Sequence, residues 1–240
     1  MKLTKDQAWN AQNYQAFLAF LHAQIDEPYR DFQSKLIPGC TKPLLGVRMP
    51  ILRKLAKDLA KTDWRSFLSV FEGNYYEEVM VRALLLGAVR PDFEEFCQLV
   101  DSQVELTDNW AFCDAFCGGL KIVRDWRAEL FPWFSGWLTS DNPWRVRVAL
   151  VLFLEHYLEP DYIDAVIALC DSVSFDHYYV KMAQAWLLSM CYVHFRDKTQ
   201  AYLETETNLD KWTYNKTLQK CRESFRVSAE DKALLKEMRR

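Results

Sequence analysis

Apolar residues recur along this chain with the spacing of one face of an α-helix. Leu52, Leu55, Ala56 and Leu59 keep the i, i+3, i+4, i+7 rhythm, and Trp64, Phe67, Leu68 and Phe71 repeat it. Phe93, Phe96, Cys97 and Val100 follow it too, as do Ile163, Val166, Ile167 and Cys170, while Trp126, Leu130, Trp133, Phe134 and Trp137 make a broader stripe. Period-2 runs and Asn-Gly or Asp-Gly hairpin signals are missing, so no strand is predicted. Boundaries are marked by Met49-Pro50, by Thr62-Asp63, by Ser140-Asp141-Asn142-Pro143 and by Ser228-x-x-Asp231, which has the form of a capping box.

The pattern predicts two kinds of helix. Amphipathic ones around 52–60, 64–71, 92–100, 126–137 and 161–171 alternate with nearly all-apolar ones around 79–89, 144–158 and 179–195. The second kind must be covered on most sides, yet each carries a cation near its start: Arg82, Arg147 and Lys181. Arg147 and Lys181 are 34 residues apart, close to the length of a helical hairpin, and Arg82 precedes Arg147 by about two such units. The simplest architecture is all-α: one HEAT-like or armadillo-type solenoid domain of stacked helical hairpins over residues 1–240, its inner helices lining a concave face. A compact bundle of the same helices is the rival. Cations opening apolar inner helices make sense if they point into a groove.

Composition narrows the class. Half of the 240 residues are hydrophobic and 15% are aromatic, which suits a packed core and excludes a disordered chain. The longest apolar runs are broken or flanked by Arg82 and Arg147, so no transmembrane helix is predicted, and the N-terminus lacks a signal peptide's apolar stretch. A cytoplasmic monomer is expected. The seven cysteines, an odd number scattered through apolar runs, read as reduced core residues. Cys113 and Cys117 lie one turn apart with no His or second Cys pair to complete a zinc site. No phosphate-loop or dinucleotide motif is present, Gly118-Gly119 reads as a helix end, and the four histidines are dispersed, so neither metal nor cofactor is expected. The net charge of −3 speaks mildly against nucleic acid, but 42–65 and 211–240 each carry +5, leaving −13 on the remainder.

Three segments stand out. Asp108-Asn109-Trp110-Ala111-Phe112-Cys113-Asp114 puts Trp110 and Asp114 on one helix face; Asp114 is either a functional acid or a structural partner for a nearby arginine on a helix capped by Asp108 or Asn109. Asn142-Pro143-Trp144-Arg145-Val146-Arg147 carries two arginines that diverge on a helix, with Arg147 alone in register with Lys181. Tyr178-Tyr179-Val180-Lys181-Met182-Ala183-Gln184-Ala185-Trp186 ends on a tryptophan that is either core or site.

The order and spacing of these segments resemble the AlkD-like family of DNA alkylation-repair glycosylases, whose fold is a HEAT-like solenoid. Leu45-Gly46-Val47-Arg48-Met49-Pro50 is similar to the family's N-terminal segment, Asn109-Trp110-x-x-x-Asp114 to its catalytic motif, Trp144-x-x-Arg147-x-Ala149 to its arginine helix, and Lys181-x-x-x-Ala185-Trp186 to its second tryptophan helix. The resemblance implies a hydrolase that excises N3- or N7-alkylated purines from double-stranded DNA. Asp114, Trp110 and Trp186 would act at the lesion, and Arg147, with Lys181 and Arg82 in the same register, would face DNA. Ser189 departs from the pattern, since active members tend to carry a basic residue there. The C-terminal Tyr214-Asn215-Lys216 segment resembles a divergent branch, some of whose members bind DNA structures without robust glycosylase activity. A non-catalytic binder of distorted DNA and a protein-interaction solenoid, which the acidic charge favours, are therefore the alternatives.

Overall fold

The structure, a computed structural model, describes residues 3–240, and every regular element among them is a helix. The chain is all-α and divides into two compact units, one ending at Ile122 and the other beginning at Val123.

The first unit holds α1 (Ala11–His22), α2 (Glu27–Leu36), α3 (Met49–Leu59), α4 (Trp64–Ser69), α5 (Tyr76–Leu86), α6 (Phe93–Val104) and α7 (Trp110–Gly119). Alternate helices are neighbours: α3 packs on α5, and α5 on α7. The α3 stripe of Leu52, Leu55, Ala56 and Leu59 is buried as its periodicity predicts, and Pro50 sits in the first turn, where its missing N–H has no partner to lose. Asp63 caps α4 by accepting the Ser66 N–H. Trp9, Phe17 and Phe67 meet edge-on, with ring centroids 5.0–6.4 Å apart.

Two buried carboxylates open α5, and backbone donors answer both. Glu77 accepts the N–H groups of Leu45, Gly46 and Val47 at 2.9, 2.7 and 3.1 Å. Glu78 accepts those of Gly73 and Tyr75, along with the Tyr14 hydroxyl. Each thereby meets the requirement that a buried charge be hydrogen-bonded. Glu77 explains the shape of the Leu45-Gly46 segment. Gly46 has φ +95°, and a Cβ there would lie 2.6 Å from the Asp26 carbonyl oxygen. A second close approach joins α5 to α7, where a Cβ on Gly87 would lie 2.8 Å from the Gly119 carbonyl oxygen.

The second unit holds α8 (Arg127–Gly136), α9 (Pro143–His156), α10 (Ile163–Ser172), α11 (Tyr178–His194), α12 (Arg196–Leu203), α13 (Lys211–Glu223) and α14 (Ala229–Glu237). Here α9 packs on α11 and α11 on α13, while α10 and α12 pack on α11 and on each other. Val146 through Leu154 are all buried, so α9 is covered on nearly every side. The stripe from Trp126 to Trp137 spans more than one element: Trp126 stands at the N-cap of α8 and Trp137 begins a 3₁₀ turn. Helices α1, α2, α12 and α13 were not marked by periodicity. α2 buries no side chain, and the sequence of α13 is dominated by polar and cationic residues.

Among the described residues no helix is long and apolar enough to cross a membrane. Five of the seven cysteines are buried: Cys113, Cys117, Cys170, Cys191 and Cys221.

Candidate nucleic-acid interface

Trp110 and Asp114 belong to the first unit; Arg147, Lys181 and Trp186 belong to the second. On α7 the side facing the core carries Ala111, Phe112, Cys113, Phe116 and Cys117. Trp110, Asp114, Ala115, Gly118 and Gly119 remain partly exposed, so Asp114 shares a partly exposed stripe with small residues. Asn109 is the cap: its side-chain oxygen accepts the N–H groups of Ala111 and Phe112, an arrangement worth about 1 kcal/mol. Asp108 has a different task, accepting the backbone N–H and hydroxyl of Thr41. The Trp110 indole N–H donates to the Leu36 carbonyl at 2.9 Å, which ties the half-buried ring to the end of α2. Periodicity alone missed this anchor, because α2 lacks a buried stripe.

The three cations in register have different surroundings. Arg82 is 6% exposed; its guanidinium donates to Gln103 and Ser102 on α6, both at 2.6 Å, and lies 5.7 Å from the Phe71 ring. Burial lowers its pKa to about 10. Arg82 thus lies beneath the surface where the sequence suggested a groove-facing residue, because α6 covers it. Arg147 is 3% exposed and donates to the Tyr179 carbonyl at 2.7 Å, with its guanidinium 5.8 Å from that ring. Arg145 diverges from it, lying 4.9 Å from the Trp137 ring. Lys181 is partly exposed and paired with Asp176 at 2.7 Å and Asp210 at 3.7 Å. Asp176 above all keeps its ammonium protonated beyond the usual lysine range.

Trp186 lies seven residues beyond Tyr179 on α11, a rise of roughly 10 Å. It lines a cleft of about 380 Å³ together with Arg124, Arg127, His156, Met190 and His194. Within the second unit Trp186 therefore has neighbours unlike those of Arg147 and Lys181. Ser189 is buried and donates its hydroxyl to the Trp186 carbonyl at 2.7 Å.

The sequence marked 211–240 as a basic stretch and placed Lys216 in a segment resembling a divergent branch, but it gave no site role to Lys211, Trp212 or Lys216 individually. They line a second cleft, of about 660 Å³, on the exposed side of α13. One signal for them was available: Tyr76, Trp110, Trp144, Tyr178 and Trp212 are spaced 34 residues apart.

Within each unit alternate helices pack side by side, with aromatic and cationic residues near their starts, and the protein is all-α. The model of the DNA alkylation repair enzyme family matches residues 9–221, and the chain belongs to that family. DNA is accordingly its substrate or partner. A comparison with curated proteins finds no match.

Proposed function

We propose that the chain is a DNA glycosylase that hydrolyses the N-glycosidic bond of cationic N3- or N7-alkylated purines, with no metal or cofactor. The placement of Trp110 and Asp114 on one partly exposed face of α7 carries this proposal. An alkylated purine already bears a positive charge, so its leaving group needs little acid assistance. As the C1′–N bond breaks, its electron pair returns to the base, which departs neutral. Water adds to C1′ and yields its proton to Asp114 or solvent. The Asp114 side chain stabilises the oxocarbenium character that develops at the sugar. Trp110, on the same helix face as Asp114, offers aromatic surface to the cationic nucleotide, an attraction of ~0.5–2 kcal/mol.

Lys181 contacts phosphate by exchanging Asp176, an exposed pairing of the kind worth about 0–1 kcal/mol and therefore readily replaced. Arg147 contributes positive charge from beneath the surface. Arg82 holds α6 to α5 instead of reaching DNA.

Ser189 favours a second reading, a non-catalytic binder of distorted DNA. A small hydroxyl turned onto its own helix occupies the place where the family resemblance expects a base.

The test is base release from methylated duplex DNA by wild type and Asp114→Asn, with a melting curve for each. Catalysis by Asp114 predicts a loss of about a hundredfold or more in rate with DNA affinity retained. An Asp114→Asn protein that releases base at the wild-type rate per folded molecule removes Asp114 from the chemistry. Salt-dependent duplex binding without base release puts the non-catalytic binder first. No DNA binding even at low ionic strength puts the protein-interaction solenoid first.

A further inference from the structure

The aromatics spaced 34 residues apart occupy the first or second position of α5, α7, α9, α11 and α13. In the second unit they extend into a continuous strip of rings. Trp144 lies 5.2 Å from Tyr179, Tyr179 lies 5.1 Å from Tyr178, and Tyr178 lies 5.8 Å from Trp212, centroid to centroid. Exposure rises along it: Trp144 and Tyr179 are half-buried, whereas Tyr178 is 56% and Trp212 39% exposed.

At Trp212 the strip opens onto the 660 Å³ cleft, whose charged lining is entirely basic: Lys211, Lys216, Arg222 and Arg239. The Lys216 ammonium is 5.7 Å from the Trp212 ring. Asp210, the acid adjacent in sequence, uses its carboxylate to cap α13, accepting the N–H groups of Trp212 and Thr213 and the Thr213 hydroxyl. Two large rings in water beside four like charges do little for the fold. They suit a ligand that is both polyanionic and flat-faced. Duplex DNA is polyanionic but stacks its base faces on one another; a single strand presents both features. An acidic peptide would satisfy the cations and leave the rings uncovered.

We propose that this strip binds single-stranded DNA, with bases stacked on Tyr178 and Trp212 and phosphates held by Lys211, Lys216 and Arg239. Aromatic platforms beside a cationic groove are the general means of holding single strands. The proposal does not depend on glycosidic bond cleavage, so failure of the base-release assay leaves it standing.

The experiment titrates the full chain into a labelled oligothymidylate and, separately, into a blunt duplex, over a range of salt concentrations. Trp212→Ala is expected to weaken single-strand binding about tenfold and leave duplex affinity unchanged, while Trp212→Phe retains most of the binding. Combining Lys211→Ala with Lys216→Ala is expected to lower the single-strand salt slope by about 1.4, at roughly 0.7 per phosphate contact. These lysines lie outside the core, so the double variant carries the test even if Trp212→Ala melts early. The proposal is overturned if wild type fails to bind oligothymidylate at low salt. It is also overturned if Trp212→Phe binds no better than Trp212→Ala while the lysine variant keeps the wild-type slope, or if polyglutamate displaces the oligonucleotide as well as unlabelled single strand does.

Discussion

The opening turns of α5 and α13 hold the same place in the 34-residue spacing and have opposite fates. In α5 the aromatic is Tyr76, 2% exposed and stacked on Phe112 with centroids 4.7 Å apart. The polar residues around it, Glu77, Glu78 and Arg82, find their partners within the first unit. In α13 the aromatic is Trp212, 39% exposed, which lies by the exposed Tyr178 ring and the Lys216 ammonium, beside a cleft without a carboxylate in its lining. One repeat position can therefore stiffen the scaffold or face a ligand, depending on whether a neighbouring helix covers it. Phe112 of α7 covers Tyr76; no described ring seals Trp212 in that way.

The largest expected effect lies on the buried side of this comparison. Glu77→Ala leaves three buried backbone N–H groups without their acceptor, at a cost of about 3 kcal/mol. For a chain of this size that is a drop of roughly 6–12 °C in Tm by calorimetry. A Tm close to wild type would mean that the Leu45–Val47 segment finds other acceptors and that α5 is less tightly tied than its geometry implies.

A smaller effect separates a covered cation from an open one. Arg82→Met keeps an unbranched apolar stem and removes the donors to Gln103 and Ser102, which is expected to cost about 1–2 kcal/mol. It should leave the salt dependence of duplex binding unchanged. Lys181→Ala should alter stability by only about 0.5 kcal/mol or less and lower the duplex salt slope by about 0.9. Parallel denaturation and binding titrations check both. A slope that falls in Arg82→Met would put Arg82 back among the residues that meet DNA.

The smallest expected effect is a titration. Burial, with Arg147 adding to it, holds the His177 ring below its ordinary value of 6.5. Because the folded state disfavours the protonated ring, the unfolded chain takes up the proton first. The stability contributed by neutral His177 is therefore present above pH 6.5 and is lost as pH falls through the lower folded value. Proton NMR should place its midpoint below that of an ordinary histidine, and Arg147→Gln should raise it only in part, since burial is the larger cause. A full return to the ordinary value would make Arg147 the main influence.

Local features were legible in the sequence because their physics is local. The apolar stripe of α3, Pro50 in its first turn, and the caps Asp63, Asn109 and Asn142 depend on residues one turn apart, and each is found where the spacing predicts. The sharing of a helix face by Trp110 and Asp114 is likewise set by helical geometry alone. Arg82, Arg147 and Lys181, by contrast, look alike in sequence, each a cation near the start of an apolar helix. Their separation into a guanidinium held by α6, one held by the Tyr179 carbonyl and an ammonium paired with exposed acids required tertiary packing. So did the contact of Trp110 with Leu36, 74 residues away, and the cleft beside Trp186. Sequence determined which side chains each helix carries and on which face. Tertiary structure decided which of them meet water, because burial depends on residues that are close in space and remote along the chain.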